Sequence, residues 1–193
     1  MPDSTLSVVY TIAPCPLGYL LVAATGQGIC AVHMGDSEEQ LNALLAEDFP
    51  AAQRQPDHDA LRRWSAVLIA YLNGQQRELD LPLNVAGTGF QRRVWRALQA
   101  IPYGATRTYT QLADALGQPA APRAVASACA ANPVALVIPC HRVLRKDGSL
   151  RGYRWGLARK DALLTLERFG PERLFDEPLP GITEIAARGE QGA

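Results

Sequence analysis

Short apolar segments separated by turn residues make up the start of the chain. Leu6–Ala13, Tyr19–Ala24 and Gly28–Met34 are rich in β-branched or aromatic residues, with Pro and Gly between them. This pattern predicts the strands of a small antiparallel sheet, to which Leu79-Asp80-Leu81 adds a further strand.

Two helical patterns lie within this first part. Ser37-Glu38-Glu39-Gln40 predicts a capping box, in which side chains satisfy the free backbone amides at the start of a helix. That helix is expected to end near Phe49-Pro50. After a polar linker, a second helix is predicted over Asp59–Asn73, with Gly74 as its stop. Neither helix carries obvious chemistry, so this part of the chain is interpreted as a scaffold.

From Gly89 onward the apolar positions take up a helical period. Pro102-Tyr103-Gly104 ends the first helix, and Thr108-Tyr109-Thr110-Gln111 is a capping box for a short helix that reaches Leu116. A third helix over Ala121–Ala131 follows a tight glycine-containing turn, so the pair has the pattern of a helix-turn-helix.

The second helix of this pair, Pro122–Asn132, offers small side chains and one arginine, Arg123. A helix that reads bases in the major groove is expected to carry arrays of Arg, Asn or Gln. Small side chains instead let a backbone approach DNA closely, as minor-groove or phosphate binding requires. An alanine-rich helix of the protein core is the alternative interpretation.

The segment Ile138-Pro139-Cys140-His141-Arg142-Val143 holds the most distinctive candidate chemistry. The apolar run 134–138 leads into it and predicts a buried strand or extended segment, and the proline then fixes the pose of the cysteine. A thiolate is the reactive form of cysteine, and the adjacent histidine and arginine can supply a stabilising positive field. A buried structural cysteine is the alternative, since free cysteine packs like a small apolar residue.

Further along, Lys146-Asp147-Gly148-Ser149 predicts a hairpin turn. The strands that it joins, Arg142–Arg145 and Leu150–Tyr153, are expected to form a basic wing. A final helix is predicted over Gly156–Phe169, and residues 171–193 are interpreted as a flexible tail.

Composition narrows the class of protein. The 193 residues are 48% hydrophobic, which allows a buried core in one or two domains. No apolar run approaches the ~20 residues that span a bilayer, and no signal peptide is recognisable, so a cytoplasmic protein without membrane contact is expected. The 4 cysteines form no CxxC pair, so neither a zinc ribbon nor a disulfide framework is indicated, and no metal is expected. A metal site built from Cys15, Cys30 and His33 remains an alternative.

The zero net charge conceals two parts of opposite sign. Residues 88–168 carry 13 Lys and Arg against 4 Asp and Glu, a balance of +9, and the rest of the chain carries 6 against 15, a balance of −9. A basic part beside an acidic one indicates that the basic part faces a polyanion. An ordinary solvated surface is the alternative.

Taken together, these blocks resemble those of the O6-alkylguanine-DNA alkyltransferases, the methylated-DNA–protein-cysteine methyltransferase family. The resemblance covers about Val8 to Arg168 and depends most on the Pro-Cys-His-Arg-Val order around Cys140. The matching blocks are Phe90-Gln91, Val94-Trp95, Ile101–Gly104, Thr108-Tyr109, Gln111–Ala113, Arg123–Val125, Asn132-Pro133, Ile138–Val143, Asp147-Gly148 and Gly152-Tyr153. The form of residues 152–156 is most similar to the C-terminal half of the bacterial adaptive-response members. The chain has no counterpart of their cysteine-rich zinc domain, so a stand-alone enzyme is expected.

The resemblance implies an architecture of two domains. Residues 1–84 would form an α/β scaffold domain, a small antiparallel sheet with helices of the ribonuclease H-like type. Residues 85–170 would form a mainly α domain, a winged helix-turn-helix that binds DNA and accepts the alkyl group.

The resemblance also implies direct-reversal DNA repair without a cofactor. O6-alkylguanine, and also O4-alkylthymine, would be flipped out of the duplex, and its alkyl group would pass irreversibly to Cys140, once per molecule. His141 would take the thiol proton through a water molecule, Glu167 would orient His141, and Tyr109 would protonate the departing guanine. The residues implied in substrate binding are Asn132, Val143, Tyr153, Arg154, Trp155 and Lys160.

The implied partner is duplex DNA, met from its minor-groove side by a monomer that can cluster along it. Arg123 would fill the gap that the flipped base leaves in the stack. The residues implied in DNA contact are Arg123, Ala124, Ala126, Ser127, Arg92, Arg93, Arg96 and Arg142. Two positions depart from the family pattern: Ala135 stands where some relatives have proline, and Trp155 where many have glycine. Ala135 is expected to loosen the pocket wall, and Trp155 is expected to make bulky alkyl groups fit poorly.

Three other kinds of protein remain open. A non-catalytic relative that binds alkylated DNA would carry another residue at position 140. A winged-helix transcription regulator would explain the basic part of the chain but not Cys140 beside His141. A Cys-His hydrolase would give no reason for the helix-turn-helix.

Overall fold

The computed structural model describes residues 6–175. The chain divides between Val85 and Ala86 into two compact units, an N-terminal unit with a sheet and a helical C-terminal unit, as the sequence predicts. Of the predicted tail at 171–193, residues Pro171–Phe175 form a 3-10 helix and the remainder lies outside the described residues.

The N-terminal unit is built on one mixed sheet of four strands. They are β1 (Ser7–Cys15), β2 (Gly18–Thr25), β3 (Gly28–Gly35) and β4 (Gln53–Pro56), in the order β3-β2-β1-β4. The first three pair antiparallel, as predicted, and β4 adds to β1 in parallel. The sequence predicted a linker at β4 because its residues are polar, which suits a short strand at the edge of a sheet.

The strand predicted at Leu79–Leu81 is wrong. Only Leu83 pairs with the sheet, through an isolated parallel bridge to Ile29. Pro82 has no N–H and cannot continue a ladder, but its carbonyl accepts from Ile29 N at 2.8 Å. This approach needs Gly28, where an added Cβ would lie 2.7 Å from the Pro82 oxygen.

Two helices cover this sheet. They are α1 (Glu38–Asp48) and α2 (His58–Leu72), within two residues of their predicted bounds. Ser37 caps α1 by accepting from Gln40 N at 3.2 Å. The Gln40 side chain accepts from Asp36 N, one residue before the Ser37 N that the predicted capping box would use. Leu41 and Leu45 bury the inner face of α1 against the sheet.

The C-terminal unit contains the four helices that the sequence predicts. They are α3 (Gly89–Gln99), α4 (Tyr109–Ala115), α5 (Pro122–Ala130) and α6 (Leu157–Phe169). Thr108 and Gln111 make both bonds of the predicted capping box at the start of α4. α5 packs against α3 and α4, and Trp95 of α3 donates to the Ala128 carbonyl at 2.9 Å. The helix pair α4 and α5 is therefore held in place from one side by α3.

The predicted strand over 134–138 is also wrong, although the run is buried. The chain turns there, with Leu136 at a φ of +68° and Ile138 N donating to Val134 O at 3.2 Å. Val137 N also donates within the run, to Ala135 O at 2.7 Å, so these backbone groups are used in the turn and not in a ladder. Cys140–Arg142 follow as a 3-10 helix.

The predicted basic wing is only partly present. The turn at Asp147-Gly148 forms, with Gly148 N donating to Arg145 O at 3.0 Å and Gly148 at a φ of +79°. No strand follows over 150–153. Instead β6 (Val143–Leu144) pairs in parallel with β5 (Arg107–Thr108), and this pairing joins the segment that follows Cys140 to the start of α4.

Candidate active site

Cys140 is held at the end of a fixed turn by Asn132. The Asn132 side chain is wholly buried and donates to the Ile138 carbonyl at 2.8 Å and to Cys140 Sγ at 3.3 Å. Its own oxygen accepts from Val134 N at 3.0 Å. One amide thus ties the end of α5 to the turn and to the sulfur, and it sets where the thiol points.

His141 is held by a buried carboxylate on α6. Its Nε2 lies 2.6 Å from Glu167 Oε1, and both side chains are buried. Arg142 Nε donates to the two Glu167 oxygens at 3.1 and 2.9 Å, and Gly104 N donates to Oε2 at 3.0 Å. Glu167 therefore accepts from three residues at once and is held in one orientation.

The charges of this group follow from its contacts. Burial raises the pKa of the Glu167 carboxyl, but the hydrogen bonds and charges of His141 and Arg142 outweigh burial and bring it to about 2. Burial lowers the pKa of His141, against the opposing effect of Glu167. A neutral imidazole that donates from Nε2 to the carboxylate leaves Nδ1 as the basic atom, and Nδ1 is buried with no hydrogen-bond partner among residues 6–175.

Cys140 is covered and protonated in this state. Its exposed fraction is 5%, and burial raises the pKa of the thiol to about 11. The Asn132 hydrogen bond and the positive charge of Lys160 act in the opposite direction. The site thus contains the groups that favour a thiolate, but burial prevails.

Lys160 joins two segments around the cysteine. Its side chain is fully buried, and Nζ donates to Val143 O at 2.7 Å and to Arg151 O at 3.3 Å. The Tyr109 hydroxyl donates to the same Arg151 oxygen at 3.2 Å. Burial, with the nearby thiols, raises the pKa of Tyr109 to about 12, so its phenol keeps its proton.

Aromatic side chains form one wall next to His141. Tyr153 packs edge-on against His141 and Trp155, with ring centroids 6.5 and 5.0 Å apart. Trp155 is buried, and Arg159 donates to its carbonyl at 3.1 Å. Arg154, between the two aromatics in sequence, is exposed.

The chain is similar to known proteins over most of its length. Residues 8–85 match the family 6-O-methylguanine DNA methyltransferase, ribonuclease-like domain, and residues 89–169 match the DNA binding domain of the same family. The chain is 49% identical over 161 residues to the methylated-DNA–protein-cysteine methyltransferase of Mycobacterium tuberculosis, a match that covers 82% of this chain and 92% of that protein. The chain belongs to the methylated-DNA–protein-cysteine methyltransferase family. The resemblance predicted from the sequence is thereby confirmed.

Other members differ in length and in what their structures contain. The bifunctional transcriptional activator/DNA repair enzyme Ada of Escherichia coli is 50% identical over 168 residues, covering 87% of this chain and 48% of Ada. The chain thus spans about half the length of the Ada-type relatives that it matches. The crystal structure of Mycobacterium tuberculosis OGT in complex with DNA aligns with a TM-score of 0.74 at 38% identity, covering 87% of this chain and 99% of that one.

Arg142 was predicted to contact DNA, and its burial corrects that prediction. Arg142 has an exposed fraction of 6%, donates to Glu167 and to Ile101 O at 2.6 Å, and lies over the Tyr103 ring at 5.8 Å. Its charge serves the buried carboxylate and is not available to a DNA phosphate. The other predicted DNA-contacting residues lie on α3 and α5: Arg92, Arg93, Arg96, Arg123, Ala124 and Ser127 are exposed, and Ala126 is half-buried.

The alternative metal site does not form. No three His, Cys, Asp or Glu side chains among residues 6–175 are grouped so that they could hold a metal ion. His33 Nε2 lies 3.1 Å from Asp48 Oδ2, which was not part of the predicted set.

No helix among residues 6–175 is long and apolar enough to cross a membrane.

Backbone groups complete the site, and sequence reasoning missed them. Gly104 N holds Glu167, Ile101 O holds Arg142, and Arg151 O receives both Tyr109 and Lys160. Every residue has these atoms, so no residue type marks them in a sequence. The Ile101–Gly104 block was recognised as a helix end and as a block matching the family, but neither signal indicated that its backbone holds Glu167 and Arg142.

Proposed function

We propose that this protein repairs DNA by direct reversal, as a methylated-DNA–[protein]-cysteine S-methyltransferase. O6-alkylguanine, and O4-alkylthymine, would be turned out of the duplex, and Cys140 Sγ would attack the alkyl carbon. The bond from that carbon to the base oxygen breaks as the thioether forms. Because a thioether is not hydrolysed, each molecule acts once and needs no cofactor.

The observation that carries this proposal is the buried His141–Glu167 pair, whose histidine directly follows the buried Cys140 in the chain. Glu167 accepts from His141 Nε2 at 2.6 Å, and His141 Nδ1 is left as a base. A nucleophile beside a base that a third group orients is the usual arrangement for an activated thiol. The thiol proton would pass to His141 through a water molecule, and the carboxylate would stabilise the imidazolium.

Tyr109 would supply the proton that the departing base needs. Its raised pKa keeps the phenol protonated, and its hydroxyl would leave Arg151 O to reach the base. Lys160 still donates to that carbonyl after the hydroxyl has left, so the Arg151 oxygen keeps a hydrogen bond. Asn132, Val143, Tyr153, Arg154 and Trp155 would line the rest of the base pocket, and Trp155 would limit the size of the alkyl group.

DNA would be bound through a winged helix-turn-helix, with α5 entering the minor groove. α5 exposes Arg123, Ala124 and Ser127, and small side chains let the backbone come close to the groove. Arg123 would occupy the place of the flipped base. The likeness to the OGT–DNA complex supports DNA as the partner. A ribonuclease H-like N-terminal unit and a monomer that clusters along DNA belong to the same proposal.

Intact mass tests the proposal directly. Incubation with DNA containing O6-methylguanine should add one methyl group to the protein, at Cys140, in a stoichiometry that does not exceed one. Cys140→Ser should bind the same DNA but gain no methyl group, because a hydroxyl is a far weaker nucleophile than a thiolate. An unmodified wild-type mass, or a methylated Ser variant, contradicts the proposal.

A further inference from the structure

One of the last carbonyls of α5 accepts a hydrogen bond from a side chain of another helix. A continuing helix would direct the Asn132 N–H to Ala128 O, four residues back. Because Pro133 disfavours helical backbone at the residue before it, Asn132 N donates instead to Cys129 O, at 3.3 Å. The indole Nε1 of Trp95 in α3 donates to Ala128 O at 2.9 Å. Trp95 thus supplies the bond that a continuing helix would have made at the end of α5.

The Trp95 indole is held in place from two sides. Trp95 and Ala128 are both buried, so removal of the N–H would leave a buried carbonyl without this donor. On the six-membered ring of the indole, two carbons would lie 2.7 Å from a Cβ added to Gly87. Glycine, which has no Cβ, is what leaves room for the ring there. An indole fixed in this way sets the distance between α3 and the end of α5.

Asn132 connects this helix end to the sulfur of Cys140. It comes four residues after Ala128, and its backbone N–H is bonded to the last turn of α5. Its wholly buried side chain donates to Ile138 O at 2.8 Å and to Cys140 Sγ at 3.3 Å. A displacement of the end of α5 would therefore move Asn132 and change both of these hydrogen bonds.

We propose that Trp95 is a positioning residue for methyl transfer. Its indole N–H holds the end of α5, and Asn132 passes that position on to the Cys140 thiol. The inference rests on the proposed function and deepens it. The arginines of α3 are exposed, whereas Trp95 lies on the buried face of the same helix. Loss of the indole N–H should therefore affect the transfer step and not the affinity for DNA.

Single-turnover kinetics of Trp95→Phe test the role. With saturating O6-methylguanine DNA, the transfer rate should fall about tenfold or more, because a misplacement of about 1 Å can cost on the order of 10²-fold. The Kd for the same DNA should be unchanged. Trp64→Phe, on a half-buried tryptophan of α2, is the matched control and should alter neither value. An unchanged rate in Trp95→Phe overturns the proposal, and so does a loss of affinity as large as the loss of rate.

A synthetic amino acid separates the hydrogen bond of Trp95 from its volume. Benzothienylalanine at position 95 keeps the two fused rings and has a sulfur where the indole has its N–H. It should slow methyl transfer as much as Trp95→Phe does, because both changes remove the donor to Ala128 O. A wild-type rate with benzothienylalanine would mean that Trp95 only fills space, and would overturn the proposal.

Alkylation of Cys140 by iodoacetamide tests the route through Asn132 without DNA. Burial raises the pKa of the Cys140 thiol to about 11, and the hydrogen bond from Asn132 opposes that rise. Trp95→Phe should therefore slow modification of Cys140, followed by peptide mass at a mildly alkaline pH, and should slow it no further in Asn132→Ala protein. A faster reaction would mean that the site has opened, and additive losses would mean a different route; either result overturns the proposal. If wild type transfers no methyl group, the proposed function fails, while the iodoacetamide rates still decide whether Trp95 positions the thiol.

Discussion

Glu167→Gln is the substitution that tests the buried group most sharply. Oε1 faces His141 Nε2 and Arg142 Nε, and Oε2 faces Arg142 Nε and Gly104 N. All of these atoms are donors. The amide nitrogen of glutamine, placed at either oxygen position, would therefore face donors, and the charge opposite Arg142 would be lost.

Two routes give the size of the effect on stability. Removing one partner of a buried ion pair lowers the free energy of unfolding by about 3–5 kcal/mol. Independently, a carboxyl pKa that moves from 4.5 to about 2 on folding contributes roughly 3 kcal/mol near neutral pH. The two values agree. We expect Glu167→Gln to lose about 3–5 kcal/mol at pH 7 and still to fold, since domains commonly have 5–15 kcal/mol.

The shifted pKa of Glu167 also predicts in which direction its contribution to stability changes with pH. The folded-state pKa of Glu167 is below the unfolded value, so its contribution is complete above about pH 4.5 and is lost as the pH falls toward 2. The difference in unfolding free energy between wild type and Glu167→Gln should therefore shrink by about half or more between pH 7 and pH 3. Urea unfolding at both pH values measures it, and Glu172→Gln, on an exposed glutamate, is the control.

Two results would refute this reasoning. A loss below about 1 kcal/mol at pH 7 would mean that the buried carboxylate contributes no more than a surface pair. An equal loss at pH 7 and pH 3 would mean that ionisation of Glu167 is not the cause. The rate of methyl transfer supplies a separate reading, because a positioned base commonly contributes about 10²–10⁴. We expect a fall of at least tenfold, and an unchanged rate would make Glu167 purely structural.

Two further predictions concern DNA. Arg123→Ala should slow repair of O6-methylguanine strongly in a duplex, much less in a single strand and hardly with the free base, because flipping from a paired stack costs a few kcal/mol that the side chain partly recovers. An equal loss on all three substrates would mean that Arg123 is structural. Wild-type binding should depend clearly on salt and weakly on duplex sequence, given the +9 balance of residues 88–168 and an α5 without base-reading arrays. A flat salt profile, or a strong preference for one sequence, would contradict that view.

Local signals made most helices predictable from the sequence. The capping box at Thr108 and Gln111 uses residues three apart, and both of its bonds are present. Gly74 and Gly170 end helices with a φ of +70° and +89°, a conformation that glycine adopts without strain. Each of these signals lies within one turn of the feature that it sets, so no knowledge of the rest of the fold is needed.

Long-range partners set the features that the sequence did not predict. β5 and β6 have two residues each and are 36 positions apart, too short for any alternation of apolar and polar residues. Arg142 stands among basic residues, and its partner Glu167 is 25 positions away on α6. A charged residue has the same letter whether it faces DNA or a buried carboxylate. The folded structure is needed to tell an arginine that faces DNA from one that faces a buried carboxylate.

The arrangement of the site suits the single use that we propose for Cys140, because it would keep the thiol intact until the reaction. Burial raises the pKa of the Cys140 thiol to about 11, so the thiol keeps its proton at pH 7. The thiolate is the form that oxidants and stray electrophiles attack. Burial therefore protects Cys140 in two ways: it keeps the thiol protonated, and it limits access to the sulfur at an exposed fraction of 5%. Ionisation must then be driven at the moment of reaction. Glu167 stays charged at any physiological pH and can stabilise a proton on His141, while Lys160 faces the developing thiolate. The thiolate is therefore absent from the resting site, while the groups that would form and stabilise it surround the thiol.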